Sequence, residues 1–191
     1  MSETRSYLVY EFNELNKESK EISIKELHNI NVDVLDWEKE VIEEYKEKLN
    51  KDGYENINIY YSGFWFQGNG ASFTSNVNVK KWLVNQNKWE NLSVETKNSI
   101  KEESYCTIRK HGHYENSKTI FVEDMLFIKN YDIIIKEINI ENEIINLARK
   151  MANELYKSLE ELYEYYTSKE VIIETINLNN IMFRKNGKPD I

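Results

Sequence analysis

The sequence predicts an α+β fold: an antiparallel β-sheet of about four to six strands with helices packed on one face, and a long helix near the C-terminus. Three observations carry this reading. Short β-branched and aromatic runs come in two neighbouring pairs, 57–63 with 71–79 and 104–114 with 117–127, as the arms of hairpins do. From Glu141, the residues Ile144, Leu147, Ala148, Met151, Leu155, Leu159, Leu162 and Tyr166 recur at spacings of three or four, the period of one helix face. A chain of 191 residues, 40% hydrophobic and 30% charged, suits one hydrophobic core. No repeat or linker interrupts it, so a single domain over 1–191 is expected.

Each element has its own justification. "SYLVYEF" (6–12) is β-branched and aromatic, a first strand. "NELNKESKEISIKELHNI" turns helical, with Asn16 or Ser19 as its cap and Ile22, Leu27 and Ile30 as its stripe. From Asp33 to Gly53, Leu35, Glu38, Ile42, Tyr45 and Leu49 follow helical spacing, and Gly53 stands where a helix stop is expected. "INIYYSG" and "ASFTSNVNV" predict a hairpin across a glycine-rich connection, in which Asn69-Gly70 fits a type I′ turn. Residues 80–103 read as one or two short helices with Ser93 as a cap. The second hairpin follows, then the long helix, then "KEVIIETINLN" as helix or strand, and a closing strand and turn in "NIMFRKNGKPDI".

Composition narrows the function classes. A net charge of −8 argues against broad contact with nucleic-acid phosphate, which Lys and Arg must neutralise, and against docking on anionic membranes. The start "MSETRSYLVYEF" lacks a basic stretch followed by a long apolar one, so no signal peptide is expected. No window reaches the ~18 apolar residues of a membrane span. Cys106 is the single cysteine, which excludes an internal disulfide framework. A cytoplasmic protein without a cofactor is expected.

Two stretches offer chemistry. "YSGFWFQGNGASF" (61–73) holds three of the six glycines, which permit tight turns and close backbone approach. It matches neither phosphate-cradling glycine motif. With Phe64, Phe66 and Phe73 assigned to the core, strand alternation turns Trp65 outward. There, with Gln67, Asn69 and Ser72, its ring would suit stacking and hydrogen bonding to a base or a peptide. The second stretch is "RKHGHY". On a strand, Arg109, His111 and His113 would share a face. That row is open to three readings: a solvated polar face, a phosphate or carboxylate site with Arg109 as its fork, or a His-x-His zinc pair lacking an obvious third ligand. Cys106, in an apolar strand pattern, is read as inert, and no serine stands in a nucleophile elbow. The acidic helices could imitate DNA phosphates, but interleaved lysines favour ordinary solvated faces.

The landmarks "IYYSGFWFQGNGASF", "RKHGHYENS", "VED" and "LEELYEYYTSKEVI" occur in an order that resembles, over nearly the whole length, a family of small phage and plasmid proteins labelled as antitoxins of a toxin–antitoxin stability system. Its central block is close to "SGFWSQGDGASF" and its second motif to "HRGHY". This chain has Phe66 and Asn69 where that block has Ser and Asp, so it lacks the loop carboxylate. The resemblance implies a mobile-element protein in the bacterial cytoplasm that neutralises a host system by binding a host protein or a small anionic ligand such as a nucleotide. An antitoxin acting on a cognate toxin, and a small nucleotide-acting hydrolase with His111 or His113 as base, are the alternatives. The oligomeric state stays open.

Overall fold

The computed structural model describes residues 8–190. In chain order the elements are β1 (Tyr10–Glu11), α1 (Lys17–Glu26), α2 (Ile30–Val34), α3 (Lys39–Lys51), β2 (Tyr54–Tyr61), β3 (Ala71–Asn78) and α4 (Val79–Asn85). There follow α5 (Val94–Ser99), β4 (Ile100–Lys110), β5 (Ile120–Ile128), α6 (Tyr131–Glu137), α7 (Ile140–Tyr166), α8 (Lys169–Leu178) and β6 (Met182–Phe183). The fold is α+β, with a four-stranded antiparallel sheet in the order β2-β3-β4-β5 and a two-stranded β1-β6 ladder. Among the described residues no helix is long and apolar enough to cross a membrane. The described residues form two compact units, 39–160 and 8–38 with 161–190.

The sheet unit is a meander buried on one side. In β3, Ala71, Phe73, Ser75 and Val77 are buried while Thr74, Asn76 and Asn78 are half-buried, the alternation of a sheet covered on one face. The covering helix is α7. Tyr54 donates from its hydroxyl to the Ile144 carbonyl (3.4 Å), and the Arg149 guanidinium to the Ile120 carbonyl (2.9 Å). Ile144, Ala148, Met151, Leu155 and Leu159 of α7 are buried, five of the eight residues of the expected stripe; Leu147, Leu162 and Tyr166 are half-buried, the last two in the other unit. Trp82 of α4 is fully buried and its indole N–H donates to the Tyr54 hydroxyl (3.3 Å).

In the terminal unit Phe12, Leu15, Leu27, Ile172, Ile176 and Phe183 form the core, with Phe12 and Phe183 edge-to-face at 6.0 Å. Asn16 is the cap of α1, accepting from the Ser19 N–H (2.9 Å). From α1, Ser19 and Ser23 donate to the carbonyls of Lys185 and Gly187 (both 2.8 Å), fixing the closing turn.

Several boundaries differ from the sequence reading. The first strand shrinks to Tyr10–Glu11, because Phe12 opens a 3-10 turn and the Glu14 carboxylate accepts from the Glu11 N–H (2.8 Å); Ser6 and Tyr7 lie outside the described residues. The helix expected from Asp33 to Gly53 breaks at Leu35, whose backbone is extended, and resumes at Lys39. Trp37 in the break lies edge-on against Tyr163 (5.8 Å), so an aromatic contact replaces a helical turn. Gly53 ends α3 at φ +91° as expected, and the ambiguous 169–178 segment is the helix α8.

Candidate functional site

The site candidates of the sequence gather at one end of the sheet unit, where two loops meet. The first, 62–70, is a nine-residue connection, two residues longer than expected because β2 ends at Tyr61 rather than at Gly63. Neither Asn69 nor Gly70 has the positive φ of a type I′ turn. Instead Ser62 and Gly70 close the loop at its neck: the Ser62 N–H donates to the Gly70 carbonyl (3.1 Å) and the Gly70 N–H to the Ser62 hydroxyl (3.2 Å). Phe64 turns inward, buried against Tyr156 of α7 with ring centroids 5.4 Å apart. Burial, and then the charge of Glu160, raise the Tyr156 pKa; the phenol stays protonated and donates to the Gly63 carbonyl (3.2 Å).

Trp65 faces outward as expected, 63% exposed, in the left-handed region at φ +68°. Phe66, expected in the core, is 79% exposed. Strand alternation does not govern it, because β2 ends at Tyr61 and the chain at Trp65 has already reversed hand. The tip of the loop therefore carries two adjacent exposed rings.

The second loop, 111–119, also departs from the reading. The row of Arg109, His111 and His113 on one strand face is not formed, since β4 ends at Lys110 and Gly112 turns the chain at φ +79°. Arg109 pairs with Glu123 (Nε to Oε2 2.9 Å). The His111 ring lies on Phe121 (5.4 Å), and His113 is exposed. Among the described residues no three His, Cys, Asp or Glu side chains are grouped so as to hold a metal ion. Cys106 is fully buried in β4, and burial pushes its thiol up to about 12.

The two loops are clamped to each other. Asn116 donates from its carboxamide to the Gly68 carbonyl (3.1 Å) and accepts from the Lys118 N–H (3.1 Å). Gly68 at φ +92° lies under the Tyr114 ring, and Gly70 lies so close to the second loop that a Cβ there would be 2.6 Å from Asn116 Cβ. Ser72, expected to face a ligand, is fully buried and donates to Glu115 Oε2 (2.9 Å). Its part is to hold the second loop. Glu115 also takes an ion pair from Lys110, whose ammonium sits 4.9 Å from the Tyr60 ring centroid.

Between the clamped loops and α7 lies an open cleft of about 360 Å³, lined by Gln67, Gly68, Asn69, Asn116, Ser117, Lys118 and Asn153. Gln67 and Asn69 are thus brought together with Asn116, Lys118 and Asn153, which sequence reasoning missed. Asn116 stands beside the "RKHGHY" stretch and was within reach of it. Asn153 gives no local signal: it is one polar residue on the solvent side of a long amphipathic helix.

Residues 33–169 match a family described as a domain of unknown function (DUF8835). The chain belongs to this family. The matched DUF8835 span contains the whole sheet unit and therefore both loops, the clamp and the cleft. No curated protein and no solved structure matches the chain.

Proposed function

We propose that this DUF8835 protein is a non-enzymatic binding protein, encoded by a phage or another mobile element, that neutralises a host system through the loop end of its sheet unit. The observation that carries the reading is the pair of exposed rings Trp65 and Phe66 at the tip of a loop anchored at its neck and on its neighbour. Large rings held in water on a rigid frame are the usual anchors of recognition. The resemblance to phage and plasmid proteins supplies the mobile-element context.

The test is capture from bacterial lysate. Immobilised wild-type chain is compared with the double variant Trp65→Ala/Phe66→Ala and with Val94→Ala, a change at an equally exposed apolar residue of the same unit (75%). Captured proteins and small molecules released on denaturation are identified by mass spectrometry. The reading expects a specific partner or ligand that Val94→Ala retains and the double variant loses. Identical capture by all three proteins would overturn it.

A further inference from the structure

We propose that the cleft between 67–69, 116–118 and Asn153 takes a nucleoside monophosphate, its base held edge-on by carboxamides and its phosphate by Lys118. This deepens the reading above and rests on the loop end being the binding face.

The hydrogen-bond bookkeeping selects the chemistry. Four carboxamides line the cleft. Asn116 is spent on the clamp, whereas the side chains of Gln67, Asn69 and Asn153 bond to no other group among the described residues. A carboxamide presents a donor and an acceptor side by side. It pairs best with an edge that does the same, which a nucleobase has and a simple acid does not. Trp65, Phe66 and Tyr114, each at least 63% exposed, stand on the same two loops, the Tyr114 ring over Gly68 of the cleft lining.

Charge selects the phosphate and limits it. Arg109 and Lys110 are held by Glu123 and Glu115. Lys118 is exposed, lines the cleft, and has no carboxylate partner among the described residues. One free ammonium in the described lining of the cleft suits one phosphate. A di- or triphosphate would bring further charge with no cation to meet it. The cleft volume of about 360 Å³ lies at the lower end of small-molecule sites, about 300–1,000 Å³, with room for one nucleotide.

The experiment is a calorimetric titration of the full chain with AMP, GMP, CMP and UMP and with the matching nucleosides, repeated for Lys118→Gln and Asn153→Ala. Both positions are exposed, and circular dichroism confirms that the variants fold. At least one monophosphate should bind with sub-millimolar affinity. Lys118→Gln should weaken it about tenfold while leaving the nucleoside unchanged, and Asn153→Ala should weaken both about tenfold. Absence of binding by every monophosphate at millimolar concentration overturns the proposal. So does binding indifferent to both substitutions, or binding of the nucleosides as tight as that of the monophosphates. If no nucleotide binds yet lysate capture still depends on Trp65 and Phe66, the cleft proposal falls and the binding-protein reading stands.

Discussion

A Cβ built at Gly70 would lie 2.6 Å from Asn116 Cβ, 2.8 Å from its Cα and 2.9 Å from the Glu115 carbonyl oxygen. Two of these neighbours are backbone and cannot swing aside, so Gly70→Ala must push the loops apart. Urea unfolding should register a loss of about 1–3 kcal/mol, the range for overpacking. Gly63, with nothing within 4 Å of its Cβ position, has no such contact to lose. The three glycines of one short stretch therefore have different reasons to be there. That difference was not legible in the sequence, because it depends on which atoms arrive from residues 115 and 116. The outward Trp65 was legible, since three consecutive rings cannot all face a core. Phe66 was misplaced by the same alternation rule, which stops applying once the strand has ended.

At the scale of elements, α5 and α6 are joined by one carboxylate. Glu137 accepts from the Ser93 N–H (2.6 Å), the Ser93 hydroxyl (2.8 Å) and the Thr96 hydroxyl. These bonds, Thr96 first, lower the Glu137 pKa. A carboxyl that ionises more easily in the folded state stabilises the fold above its unfolded pKa of about 4.3. That contribution is lost as pH falls through the lower folded value. Glu137→Gln should therefore lower the melting temperature at pH 7, and the difference from wild type should shrink towards pH 3 in a thermal-denaturation series. Elements with a long repeat or a specific cap were readable: the stripe of α7, the caps Asn16 and Ser93, the stop at Gly53. The break at Leu35 was not, because a contact between Trp37 and Tyr163 decides it, and those residues are far apart in the chain. Asn153 escaped for a related reason. Helical periodicity says which face of α7 is polar, and is silent on which polar residue two distant loops will approach.

At the scale of the whole sheet unit, Cys106 reports on integrity. It is fully buried with its thiol pushed up to about 12, so at pH 8 it is neither ionised nor reachable. An aromatic disulfide reagent should leave it unmodified in the native protein, and modification should follow the urea unfolding curve of the sheet unit. Fast reaction in native buffer would mean that the core around β4 opens more readily than its burial implies.

The clamp between the loops has one more consequence, for how such a protein changes over generations. Its ties run through backbone carbonyls, two glycines, the Tyr114 ring over Gly68 and the buried Ser72–Glu115 contact, and the outward side chains at 65–67, 113 and 118 take no part in them. A frame held this way leaves those positions open to substitution without the loss of a tie.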